Sequence, residues 1–285
     1  MSASAIPTTE LGIANIALNH LGQKKIAAID TTTELGRKID LAYMPAVYET
    51  LRDIKPNFAK KRAIFHHVVQ AEKTISGATA ASPVVITVAA HGFSTGDTIA
   101  IWDVGGMTDL NGKRYNVTVL SSSTFSLADE SDNDVDGSEF DAYTTGGKCG
   151  LVAAPPEFGF SYRYALPSDY IVMCEINGND KLDMDHSIEN GELLINDAEV
   201  KARYIYANTD VSKWDIDFLT LCTFKVAEFI AVAVTNLRSM AGDMQSKYAG
   251  KKAEAKGTKS QESGTNSGPQ RKAVCDQWTS SRNGN

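Results

Sequence analysis

Cysteine is scarce and scattered in this chain: four among 285 residues, Cys149, Cys174, Cys222 and Cys275, with no CxxC pair and no Cys/His cluster. That spacing excludes a zinc finger or ribbon and points to reduced, mostly buried thiols. No run of about eighteen uncharged apolar residues occurs, which argues against a membrane span. Residues 1–10 lack the basic and apolar regions of a signal peptide, so folding in a cytoplasm is expected. Basic charge is also short, since 28 Lys and Arg stand against 35 Asp and Glu for a net charge of −7. Such a balance does not grip nucleic acid along a basic face. It suits a surface past which DNA slides without sticking, a conduit rather than a clamp.

Chemistry-bearing motifs are equally thin. Residues 106–114 approach a P-loop, but Gly112 comes one position late, Arg114 stands where Ser or Thr should hold magnesium, and no helix follows. Asp132-x-Asp134-x-Asp136-Gly137 opens like a calcium loop, yet the twelfth position is Tyr143 instead of a bidentate Glu, so a solvated acidic loop is expected. His66 and His67 are adjacent in the β-like stretch 63–73, where neighbouring side chains point to opposite faces and cannot easily share a metal. A hydrolase built on that pair has no acidic partner placed beside it. We therefore expect no enzyme activity, no catalytic residue, no metal and no cofactor.

What is present is organised around residues 215–248. Phe218, Cys222, Val226, Phe229, Ala233, Leu237, Met240, Met244 and Tyr248 recur at steps of three or four, the period of one helix face. This predicts a single rod of about 50 Å, capped by Asp215 or Ser212. Towards the N-terminus, Thr8 or Thr9 can cap a helix carrying Leu11, Ala14, Leu18 and Leu21, with Gly22 as its stop. Thr31-x-x-Glu34 matches a capping box opening a second helix to about Ile54, which Pro45 should kink or divide. These helices cannot bury their stripes alone, so a bundle drawn from both ends of the chain is expected.

Between the helices the pattern is β. Residues 84–89, 98–102, 113–120 and 124–127 read as short strands of a small module, with His91-Gly92, Gly105-Gly106 and Asn111-Gly112 as turns. Phe158, Phe160, Tyr162, Tyr164 and Leu166 alternate strictly, and residues 170–176, 191–195 and 200–206 follow as strands of one antiparallel sheet. Asn177-Gly178 and Asn190-Gly191 supply turns. After Gly250 the composition becomes polar and small, until Val274, Cys275 and Trp278 reappear among Arg271, Lys272 and Arg282. A polar spacer with a tryptophan and arginines at its end reads as an arm that docks on a partner.

Two resemblances add to this reading. Ala17-Leu18-Asn19-His20-Leu21-Gly22, then Ala42-Tyr43-Met44-Pro45-Ala46-Val47-Tyr48 with Arg52-Asp53, then Asn57-Phe58-Ala59-Lys60-Lys61-Arg62-Ala63 resemble, in order, the N-terminal pattern of the tail adaptor proteins of short-tailed bacteriophages, the tail tubular protein A type. Tyr164-Ala165-Leu166-Pro167-Ser168-Asp169, Lys201-Ala202-Arg203-Tyr204-Ile205-Tyr206 and Asp276-Gln277-Trp278-Thr279-Ser280-Ser281-Arg282 are similar to its later segments. Pro56 stands where that family usually has Trp. Separately, His91-Gly92-Phe93-Ser94-Thr95-Gly96-Asp97, residues 105–112 and residues 142–147 resemble a small β-barrel repeat of phage structural proteins, related in fold to the first catalytic-cysteine half-domain of ubiquitin-activating enzymes. That second resemblance implies fold and no ligase chemistry.

The expected fold class is α+β: a discontinuous helical bundle with a long C-terminal helix, an antiparallel β domain and an inserted small all-β barrel. The expected segments are 1–62 (bundle helices), 63–73 (strand linker), 74–150 (inserted module, projecting outward), 151–210 (antiparallel β domain), 211–256 (long helix) and 257–285 (arm). The first resemblance implies a virion structural protein, assembled in the host cytoplasm as a dodecameric ring. Its partners would be copies of itself, the portal protein, the tail nozzle protein and, as a further candidate, a tail fibre, with DNA passing through unbound and no membrane. Arg271, Lys272, Trp278 and Arg282 would form the docking interface. The alternative expectation is a sugar- or calcium-binding accessory protein whose function sits in the β-module.

Overall fold

The structure, a computed structural model, describes residues 9–262, with side chains as far as Gly257. The fold is α+β. The described residues fall into two compact units, one holding 9–58 and 209–262, the other Ala59–Asn208.

The first unit is helical. α1 (Glu10–His20) starts at Thr9, whose hydroxyl accepts from the Gly12 amide at 3.1 Å, and buries Ile13, Ala14, Ala17 and Leu18. Gly22, at φ +68°, ends the turn, and the Gln23 amide returns to the Leu18 carbonyl at 2.9 Å. α2 (Glu34–Ile54) is capped by Thr33 instead of Thr31. The Thr33 hydroxyl accepts from Gly36 at 3.0 Å, while Asp30 Oδ1 takes the Thr32 and Thr33 amides at 3.1 and 3.3 Å. The expected capping box therefore yields to an aspartate loop one turn earlier, and Glu34 pairs forward with Lys38 at 2.6 Å.

Pro45 does not divide α2. Ala42, Tyr43, Ala46 and Val47 around it are buried, and that packing outweighs the one backbone donor the proline removes.

The single rod predicted over 215–248 is corrected by the structure, which folds the stretch into α3 (Ile216–Thr235) and α4 (Arg238–Glu262). Asp215 caps α3 as expected, accepting from Phe218 at 2.7 Å. Asn236 ends it in the left-handed conformation, φ +58°, its amide bonded to the Val232 carbonyl at 3.0 Å. α4 then packs back on α3, so Tyr248 and Ala255 share one core with Leu221 and Ile54. In a continuous helix Leu221 and Tyr248 would lie about 40 Å apart. Polar ties close the layer: Tyr248 Oη donates to Asp53 at 3.0 Å, Lys252 reaches the same carboxylate at 2.7 Å, and Lys251 pairs with Asp217 at 2.9 Å. α3 is the one helix among the described residues long and apolar enough to cross a membrane by length and composition, and 56% of its most apolar window is buried inside the protein.

The second unit is antiparallel β throughout. Its strands are β1 (Lys60–Phe65), β2 (Lys73–Thr74), β3 (Gly77–Ala78), β4 (Val85–Thr87), β5 (Thr98–Gly105), β6 (Lys113–Val119) and β7 (Thr124–Ala128). They continue with β8 (Thr145–Leu151), β9 (Tyr162–Ala165), β10 (Tyr170–Ile176), β11 (His186–Glu189), β12 (Glu192–Ile195) and β13 (Val200–Tyr206). One sheet has the order β2-β8-β5-β6-β7-β4-β3 and encloses Ile86, Ile99, Ile101, Leu110, Tyr115, Phe125 and Cys149. Its corner at Gly106 needs glycine: φ is +80° and a Cβ would lie 2.1 Å from the Ala142 carbonyl oxygen.

The remaining strands form two three-stranded sheets, β1-β13-β10 and β11-β12-β9, where the sequence predicted one. β1 begins at Lys60 within the stretch read as helical and pairs with β13 along its length, from Lys60 opposite Ile205 to Phe65 opposite Val200. The alternation over 158–166 yields a strand only from Tyr162. Gly159 turns the chain at φ +87°, which leaves Phe158 87% exposed. β11 has a single large aliphatic residue, Ile188, and gave no alternating signal, although its hairpin turn, Asn190-Gly191 with φ +49° and +76°, was readable.

Candidate functional site

The four residues expected to dock on a partner, Arg271, Lys272, Trp278 and Arg282, lie outside the described residues. What the structure places on the surface is an apolar feature that includes Phe229 and Leu237, which the periodicity counted in one helix stripe without showing that they stay exposed. On α2, Leu41, Pro45 and Tyr48 follow one another at helical spacing and are exposed, Leu41 by 72% and Tyr48 by 41%. On α3, Phe229 and Val232 are exposed by 40% and 44%, and Leu237 just beyond by 54%. The two rows belong to neighbouring, antiparallel helices. Lys38 donates to the Ala233 carbonyl at 2.8 Å at one end, and Lys225 meets Glu49 at 2.5 Å at the other.

Lys225 is the electrostatic pin of this face. It is only 7% exposed, meets Glu228 at 3.2 Å and lies 5.3 Å from the Phe229 ring centroid. Burial disfavours its charge, but Glu49 and Glu228 outweigh that and hold its pKa above the usual lysine value. A buried, doubly paired lysine fixes the α2/α3 register and leaves the apolar rows facing out. Such a face carries no chemistry; it can bury area against another protein.

The histidine pair diverges as the strand geometry requires. His66 stacks on Trp102 with ring centroids 4.4 Å apart and planes at 13°, while His67 packs on Tyr164 at 4.4 Å and Tyr162 at 5.8 Å. Arg114 covers the same Tyr162 ring at 4.5 Å and pairs with Glu130 at 2.7 Å. Two further backbone bonds, Gln70 to Leu151 at 2.9 Å and Ala153 to Val68 at 2.8 Å, stitch the module to the strands beside it. These contacts join the module at its edge to the strands of its own unit. Burial, with Arg114 nearby, lowers the His67 pKa to about 4, so the ring is a neutral core element.

The acidic loop spends its carboxylates locally. Asp129 accepts from the Ser131 and Asn133 amides at 2.8 and 2.9 Å, Asp136 from Ser138 at 3.0 Å, and Asp132 from the Asn116 side chain at 2.7 Å. Among the described residues no group of three or more His, Cys, Asp or Glu side chains is placed to hold a metal. Cys149 is fully buried in the module core, and burial pushes its thiol up to about 12, far from a thiolate nucleophile.

Residues 81–152 match the family model of the ubiquitin-activating enzyme E1 FCCH domain. The match spans β4 to β8 of the seven-stranded sheet, roughly a quarter of the chain, and leaves out the helices and both three-stranded sheets. The FCCH domain is a non-catalytic part of those enzymes, so this likeness concerns fold. No curated protein matches the chain.

Proposed function

We propose that the chain is a virion structural protein, an adaptor that assembles as a dodecameric ring between the portal and the tail nozzle of a short-tailed bacteriophage and lines the DNA exit channel. The observation that carries this reading is the exposed apolar face of α2 and α3, pinned by Lys225 and placed on the unit built from 9–58 and 209–262. A lone subunit gains nothing from exposing Leu41, Tyr48, Phe229, Val232 and Leu237, whereas a ring subunit buries them against its neighbour. The ordered segments resembling tail adaptors support it as well. They include Asn57-Phe58-Ala59, where the helical unit gives way to the β unit, and Lys201-Ala202-Arg203-Tyr204 in β13.

The β-module serves here as a packed accessory that meets a tail fibre or decorates the ring. Calcium binding by residues 132–137 draws less support, because Asp132 and Asp136 already accept protein hydrogen bonds. The experiment is negative-stain microscopy with mass determination, on the purified chain alone and then mixed with portal-bearing, DNA-filled heads. Rings stacked on the portal vertex are expected. A chain that stays monomeric in the presence of the heads would overturn the adaptor reading.

A further inference from the structure

The sheet β1-β13-β10 carries a cleft of about 740 Å³, lined by Arg62, Ile64, Glu175, Lys201, Ala202 and Arg203 among others. Its geometry is set by strand register. Arg62 on β1 lies directly opposite Arg203 on β13, Ile64 lies opposite Lys201, and from the other side β10 brings Glu175 opposite Arg203. Like charges facing each other across a ladder destabilise a sheet unless something balances them.

The local acids do not complete that balance. Glu175 is engaged by Arg203 at 2.5 Å and Glu199 by Lys201 at 3.2 Å. Among the described residues Arg62 has neither an ion pair nor a hydrogen bond to its side chain. The Nε of Arg203 is buried, again without a partner. The surplus is felt nearby: Lys60, two residues along the same strand face, has its pKa held below the usual lysine value by burial and by the charges of Arg203 and Arg62.

We propose that this cleft is an oxyanion-binding site, taking a phosphate or carboxylate group between the guanidinium groups of Arg62 and Arg203, with Ile64 on the same face as an apolar wall for the body that bears it. Guanidinium groups present paired donors that match the planar or tetrahedral oxygens of such anions. A bound anion would supply the missing charge opposite Arg62 and share the outer guanidinium face of Arg203 with Glu175. The site lies within the β unit, and its failure would leave the adaptor reading untouched.

The test titrates the full chain with inorganic phosphate and, separately, with propionate, following binding by calorimetry and by the melting temperature. Saturable binding of at least one anion is expected for the wild type. Arg62→Gln should weaken it by about tenfold or more, Arg62→Lys should weaken it less, and Lys213→Gln, outside the β unit, should leave it unchanged. Without anion, Arg62→Gln should melt no lower than the wild type, because it removes an opposed charge, and this also establishes that the variant folds. Preference for phosphate would name a phosphoester as the source, and preference for propionate a carboxylate such as an acidic side chain. No saturable binding of either anion, or equal binding by Arg62→Gln, would overturn the proposal.

Discussion

At the scale of single residues, burial turns candidate chemistry into core packing. His67 looked like half of a ligand pair, and the strand rule already separated it from His66, but its packing on Tyr162 and Tyr164 comes from segments about a hundred positions away. The consequence is a pH dependence with a definite sign. The unfolded histidine takes a proton near pH 6.5, whereas the folded one resists until about 4, so between these values the unfolded state binds more protons. Stability therefore falls as pH drops from about 6.5 to about 4, by up to roughly 3 kcal/mol from this residue. Urea unfolding at pH 7 and pH 4.5 checks it: His67→Leu, neutral throughout, should lose less stability than the wild type over that interval. Equal losses would place the sensitivity elsewhere.

At the scale of elements, Asn236 decides between a rod and a hairpin of helices. The apolar period runs through 215–248 without a gap, because α3 and α4 each need a stripe and the two stripes happen to keep step. Asparagine tolerates the left-handed conformation at a helix end, so a stop signal was available, but nothing local says that the chain doubles back. That decision rests on Tyr248, Lys251 and Lys252 meeting Asp53 and Asp217. Asn236→Gly should leave stability within about 0.5 kcal/mol, while Asn236→Val, which resists φ +58°, should cost about 1 to 2 kcal/mol in chemical denaturation. If the valine variant were as stable as the wild type, the bend would not depend on this conformation.

At the scale of the whole molecule, the charge balance and the two units set what the protein can meet. A net charge of −7 repels a polyanion, and the basic residues of the β1-β13-β10 sheet are interleaved with Glu175 and Glu199. Fluorescence anisotropy with a labelled duplex of about 30 base pairs at about 0.15 M salt should give no binding at micromolar protein, as the proposed channel lining would require. Retention of the duplex at that salt would argue against a channel lining. The E1 FCCH likeness belongs to this scale too, since it covers one module and leaves the helical unit and its exposed face to be read on their own terms.

Local chemistry was determined by the sequence alone: the caps narrowed to Thr8 or Thr9 and to Asp215 or Ser212, the Asn190-Gly191 hairpin, four strands of the β-module (β4 to β7, without β2, β3 and β8) and the α+β class all follow from residue types acting within a few positions of one another. Tertiary structure alone decided which helices fold back, that β1 pairs with β13 so that Arg62 faces Arg203, that His67 is buried, and that Leu41 and Phe229 stay exposed. These outcomes join residues far apart in the chain. Periodicity reports that a face is apolar, and only the assembled neighbours settle whether that face is covered.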